Sequence, residues 1–192
     1  MTVRLMVDLE TTSIYPDAQI TQVGAVVASN LSDPSTWEGY RLIRYPLQKD
    51  RFTFDTETLK FWMDLPKETR DLALFGIGKP HEVLYPKKFV QNLYQSSDTF
   101  HWAAHQFFLS YKGAEIWAWP ATLDLHLLEN TFHKLKVDTP WDFNMTRCAK
   151  SVCKTLGVER EEPLEGKHDA LIDAFVQMRA LAKALSVGEK HA

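Results

Sequence analysis

The stretch VRLMVDLETT, residues 3–12, is an apolar run with the composition of a buried strand that ends on two carboxylates one residue apart. Successive strand side chains point to opposite faces, so Arg4, Met6, Asp8 and Glu10 share one face and Val3, Leu5, Val7 and Leu9 the other. Asp8 and Glu10 are therefore neighbours at a strand's carboxyl end. Like charges held that close repel unless a proton, a basic side chain or a cation offsets them. A divalent ion is the simplest group that leaves both ionised; the competing reading is an exposed edge where water solvates each.

DAQITQVGAVVAS, residues 17–29, reads as a second strand, rich in Ile and Val with Gly24 inside it, and WEGYRLIRY, 37–45, as a third. The short separation between them, with Asn30, Asp33 and Pro34, predicts local antiparallel pairing. The period then changes. Asp55 or Thr56 can cap a helix carrying Leu59, Phe61, Trp62 and Met63 within residues 54–75, with Pro66 ending it or starting the next. GIGKP, 76–80, reads as a loop and PKKFVQNLYQSS, 86–97, as a helix; Lys87 and Lys88 carry no clear signal. GAEIWAW, 113–119, has the length of a core strand and PATLDLHLLENTFHKL, 120–135, the spacing of a helix. NMTRCAKSVCKTLG, 144–157, reads as a helix from an Asn cap to Gly157, and residues 168–186 as a helix with a Leu171, Phe175, Met178, Leu181 and Leu185 stripe. The remaining stretches, 97–112 and 157–167, read as loops. Early strands followed by alternating strand and helix predict an α/β fold, a central mixed sheet flanked by helices, in a single domain over 1–192.

With 192 residues, 45% of them hydrophobic, the chain can bury a sizeable core. A net charge of −3 argues against a polyanion binder held by overall charge, yet leaves open an enzyme that meets a few phosphates through metal ions and local basic residues. Cys148 and Cys153 lie five apart in the predicted helix, a spacing suited to neither a disulfide framework nor zinc. No stretch approaches the roughly 20 apolar residues that span a bilayer, so no membrane partner and a cytoplasmic location are expected.

Further acids can join the first pair. Asp124 falls in the first turn of a helix, where it could cap free amides or approach a metal from the sheet's end. Asp169 and Asp173, four apart, share a face of the last helix, with His168 at its start. Asp173 lies among Ala170, Ala174 and Gln177, small or polar neighbours that allow close approach to another element. Asp169 can do as little as favour the helix's positive end, and His168 can be an ordinary surface histidine.

The order and spacing of these residues resemble the DnaQ-like, or DEDD-type, superfamily of 3'-5' exonucleases, in the subgroup whose last motif contains histidine. Its Asp-x-Glu first motif is matched by DLETT with Asp8 and Glu10, its central helix aspartate by Asp124, and its His-x4-Asp motif by His168 and Asp173. FDTETLKFW and WDFNMTRCAKSV resemble segments of small stand-alone bacterial and phage enzymes and exoribonuclease-like proteins. The resemblance implies a ribonuclease H-like fold, a 3'-end preference, a single-stranded RNA or DNA substrate, and, for a phage-encoded member, the host cytoplasm.

Phosphodiester hydrolysis by such a carboxylate set suits two hard, oxygen-seeking Mg²⁺ or Mn²⁺ ions. Asp8 is placed to bridge both, Glu10 and Asp173 to hold the ion that activates water, and Asp124 to serve mainly the second. His168 is assigned as general base. Gln22 is a candidate for the terminal nucleotide by resemblance, and Arg147, with Lys150 and Lys154 at helical spacing, for phosphate contact. One departure stands out: where relatives carry Trp-Gly-Asn-Gly, this chain has Trp117, Ala118, Trp119 and Pro120. It keeps one rival open, a catalytically silent nucleic-acid-binding or regulatory module; the acidic cluster, which would serve either enzyme, keeps open another, a metal-dependent endonuclease. Trp119 can stack on a base or pack in the core, and a homodimer is open.

Overall fold

The computed structural model describes residues 2–16, 18–44, 55–75, 90–95, 99–163 and 168–189. Arg4–Thr11 forms β1, and the alternation read from its sequence sets up both cores. Leu5, Val7 and Leu9 face a cluster that includes Phe100, Phe108, Leu128, Phe132 and Trp141. Met6 faces the other side, toward Leu171, Phe175, Met178 and Leu181. Each such buried side chain contributes about 1.5–3 kcal/mol relative to exposure.

β1 lies inside a six-stranded sheet of order β4-β3-β2-β1-β5-β6, with β2 Ile20–Ala28, β3 Glu38–Arg44, β4 Val90–Gln95, β5 Glu115–Ala118 and β6 Thr146–Cys148. β1 and β3 run antiparallel to β2, whereas β4 joins β3, and β5 joins β1 and β6, in parallel. Helices α3 Phe100–Leu109 and α4 Ala121–Lys134 contribute to the Leu5 side, and α5 Ala149–Thr155 and α6 Ala170–Glu189 to the Met6 side. This is the mixed, helix-flanked α/β sheet implied by the ribonuclease H-like resemblance. Among the described residues no helix is long and apolar enough to cross a membrane.

Two glycines let α6 sit close. A Cβ on Gly24 of β2 would lie 2.1 Å from the Ala170 carbonyl carbon, so only a residue without a side chain admits the first turn of α6. A Cβ on Gly39 would meet the Phe175 ring at 3.0 Å. Asp8 pairs with Gly24 in the β1–β2 ladder, so the same glycine brings α6 down beside the acidic end of β1.

The sequence-predicted helix at 54–75 divides at Pro66 into α1 Thr56–Asp64 and α2 Lys67–Phe75. Asp55 caps α1, accepting from the Thr58 N–H at 2.8 Å and the Thr58 hydroxyl at 2.6 Å.

Three expectations are corrected. Residues 90–95, read within a helix, form β4, because a short apolar run fits either period and the free edge of β3 offers a full ladder from Gly39↔Val90 to Arg44↔Gln95. The presumed loop 97–112 contains α3, whose Phe100, Ala104 and Phe108 recur every fourth residue and are buried. The presumed helix 144–157 begins only at Ala149. Ahead of it Asp142 caps a 3-10 turn, Phe143–Met145, and β6 pairs with the open edge of β5 from Ile116↔Thr146 to Ala118↔Cys148. Cys148 therefore ends a strand while Cys153 is in α5, and both thiols are free. The expected loop at 76–80 and Lys87 and Lys88 lie outside the described residues.

Candidate carboxylate active site

Four acids from three distant segments share one end of the sheet. β1 supplies Asp8 and Glu10 just before its register shift at Glu10/Thr11, the first turn of α4 supplies Asp124, and the first turn of α6 supplies Asp173. Glu10, Asp124 and Asp173 are only 7%, 4% and 6% exposed. Burial pushes the Asp8 carboxyl well above the usual carboxylate range, and the charges of Asp124 and Asp173 push it further. Glu10 is raised for the same reasons, by burial first and then by Asp8 and Asp173. Burial brings Asp124 up to about 7 against the pull of backbone hydrogen bonds involving Leu9, Asp124 and Trp119. Asp173 is brought up to about 6, again by burial, with Arg160 and the His168 N–H pulling the other way.

The supports around these acids are specific. Gln177, fully buried on α6, donates from Nε2 to Asp8 Oδ1 at 2.6 Å. His168 precedes α6 in a left-handed conformation, φ 66°, uncommon for a residue with a side chain. Its N–H donates to Asp173 Oδ2 at 2.9 Å, and its ring meets the edge of Phe61 at 4.8 Å and of Trp62 at 6.4 Å between centroids. Trp62 is itself tied to β1 by a 3.1 Å hydrogen bond from Nε1 to the Thr11 carbonyl. One ligand-capable atom each from Glu10, His168 and Asp173 lies within 4.8 Å of the others, so the imidazole stands beside the carboxylates rather than apart from them.

Divalent cations fit this donor set. Its atoms are hard oxygens plus one imidazole nitrogen, and Asp124 Oδ2 is buried without a hydrogen-bond partner. Burial, joined at Asp8 and Glu10 by the charges of neighbouring acids, disfavours ionised carboxylates here, and a bound cation relieves both effects.

Other sequence candidates fall elsewhere. Gln22 is fully buried, and its Oε1 accepts from the Ala170 N–H at 2.6 Å. Its carbonyl thus satisfies an otherwise unpaired amide at the start of α6, and with no exposed surface it presents nothing to a nucleotide. Arg147 is exposed on β6, donating to the carbonyls of Asn144 and Thr146. It does not share a helix with Lys150 and Lys154, so the expected stripe of three is broken. Trp119 is partly buried and packs against the clusters containing Trp117 and Cys153.

Three features were missed. Asp169 is buried against Arg41, whose guanidinium donates to both carboxylate oxygens at 2.7–2.9 Å. Arg160 approaches Asp173 Oδ1 at 3.8 Å. Phe61, 42% exposed, stands over His168. Phe61 left a trace in the sequence, as an apolar residue beyond what a short amphipathic helix needs for its buried face, and Asp169 only as an acid at the start of the last helix.

Comparison with solved structures returns the same fold. E. coli Exonuclease I in complex with a dT13 oligonucleotide aligns at a TM-score of 0.65 and 13% identity, covering 100% of this chain and 42% of that one. The zinc-bound form of the E. coli Exonuclease I–single-stranded DNA complex aligns at 0.63 and 15%, covering 99% and 41%. The product-bound structure of Exonuclease I aligns at 0.61 and 16%, covering 97% and 43%. The chain thus spans less than half the length of these enzymes. No curated protein sequence matches it significantly. Residues 3–185 match the family described as the 3'-5' exoribonuclease Rv2179c-like domain, and the chain belongs to that family, within the DnaQ-like group of ribonuclease H-like folds.

Proposed function

We propose that this chain is a divalent-metal-dependent 3'-5' exonuclease that shortens single-stranded or frayed RNA or DNA, using two Mg²⁺ or Mn²⁺ ions. The observation that carries the reading is the convergence of four mostly buried carboxylates, Asp8, Glu10, Asp124 and Asp173, from segments far apart in the chain, close enough that Asp8 and Glu10 both feel the charges of Asp124 and Asp173. A fold gains no stability from such crowding, so a ligand that relieves it is the natural occupant.

Asp8, Glu10, Asp124 and Asp173 would hold the ions, whose chemistry when bound is to lower the pKa of water, neutralise phosphate charge and stabilise the departing 3' oxygen. Gln177 fixes the direction of Asp8 through their 2.6 Å hydrogen bond. His168 accepts the proton of the attacking water, and Asp173 keeps its backbone in place through the His168 N–H. Phe61 and Trp62 limit the swing of the imidazole. The 3'-end preference is supported by the family description and not by the acidic cluster, which alone would serve an endonuclease equally well.

The test is digestion of 5'-labelled RNA and DNA strands of one sequence, with Mn²⁺, Mg²⁺ or EDTA. A metal-dependent ladder shortening from the 3' end is the expected result. Retarded but intact strands would make the chain a binding module, and cleavage of circular single strands would make it an endonuclease. The family description points to RNA, and the side-by-side rates decide it.

A further inference from the structure

We propose that Arg160 is the resident counter-cation of the carboxylate site, competing with divalent ions for Asp173 and Asp8 and pairing with a substrate phosphate when they displace it. The inference rests on the metal-dependent reading above and adds a residue to it.

The geometry is that of a cation held loosely. One guanidinium nitrogen lies 3.8 Å from Asp173 Oδ1 and another 3.7 Å from Glu162 Oε1, both beyond hydrogen-bond length, and the side chain keeps 25% of its surface exposed. Arg41 provides the contrast within the same molecule: its guanidinium is locked on Asp169 at 2.7–2.9 Å and has no exposed side-chain surface. Arg160 thus has donors free to change partners. Its charge reaches Asp8 as well as Asp173, and it stands eight residues ahead of His168 in the segment that leads to the general base. A single positive charge cannot balance four acids, but it lowers their repulsion, and any cation entering the site must overcome it. Once cations neutralise Asp173, the guanidinium faces the place where phosphate oxygens collect, and its planar fork suits them.

An ordinary surface ion pair with Glu162 would make a different prediction, because it would leave metal binding untouched. The experiment measures Mn²⁺ affinity by calorimetry, and binding of a short single-stranded RNA by fluorescence anisotropy in Ca²⁺, for the full chain, Arg160→Gln and Arg160→Lys. Arg160→Gln is expected to bind Mn²⁺ about fivefold more tightly and the strand about tenfold more weakly, two changes of opposite sign. Arg160→Lys, which keeps the charge without the fork, is expected to restore Mn²⁺ affinity to that of the unmodified chain but strand binding only in part. Unchanged or weakened Mn²⁺ binding in Arg160→Gln, or unchanged strand binding, overturns the proposal. If the unmodified chain takes up no Mn²⁺, the metal-dependent reading itself fails and this inference falls with it.

Discussion

Asp169 and Asp173 stand one helical turn apart at the start of α6, both buried, and the fold treats them in opposite ways. Asp169 has both oxygens on the Arg41 guanidinium and also accepts from the Leu171 N–H at 3.1 Å, capping the helix. Asp173 has an arginine only at 3.8 Å and influences Asp8 and Glu10 across the site. The first acid is balanced within the protein and its work is structural. The second is left short of positive charge, and that shortfall is what suits it to the proposed metal site rather than to packing.

The contrast can be broken most decisively at Asp8. Asp8→Asn keeps the shape and can still accept from Gln177, so the folded state should persist with an unfolding temperature no lower than before in EDTA. Nuclease turnover should fall by about a thousandfold or more, and residual activity close to that of the unmodified chain would remove the carboxylate from the mechanism. Arg41→Ala probes the balanced side. It strands a buried carboxylate and should cost about 3–5 kcal/mol in urea unfolding; a loss under about 1 kcal/mol would mean that Asp169 is no better compensated than its neighbour.

A smaller effect sharpens the same contrast through pH. Asp124 is raised to about 7 and Asp173 to about 6 in the folded chain, whereas an unfolded Asp titrates near ~3.9. Between those values the folded state holds protons that the unfolded state has released, so stability in EDTA falls as pH rises from 5 toward 8. Thermal unfolding should drop by about 5 °C over that range, and Mn²⁺ should recover most of the loss at pH 8. A flat profile in EDTA would mean that burial does not raise Asp124 and Asp173 in the folded chain.

The legible part of the molecule was what alternation and spacing encode. β1 showed its two faces, and the carboxylates converge because Asp8 and Glu10 lie toward the end of β1 while Asp124 and Asp173 lie in the first turns of α4 and α6. What escaped was decided by partners distant in the chain. Val90–Gln95 becomes a strand because β3 has an edge to offer, and Thr146–Cys148 because β5 has one. α3 hid behind an aromatic-rich sequence with no side-chain cap at Thr99. Arg41 and Asp169 are 128 positions apart, and Gln22 and Ala170 are 148 apart, so no local pattern pairs them. Arg160 falls in the stretch 157–167 that reads only as a loop, and its distance from Asp173 gives it meaning.

Gly24 ties these themes together in manufacturing terms: the tightest tolerance among the described glycines lies one strand away from the candidate carboxylates. The clearance over that residue admits a hydrogen and nothing larger, so the spacing between the two halves of the acid set is gauged by an atom outside that set. A methyl group added there would act as a shim, lifting residues 169–173 as a block and detuning the proposed metal site without touching a single carboxylate oxygen.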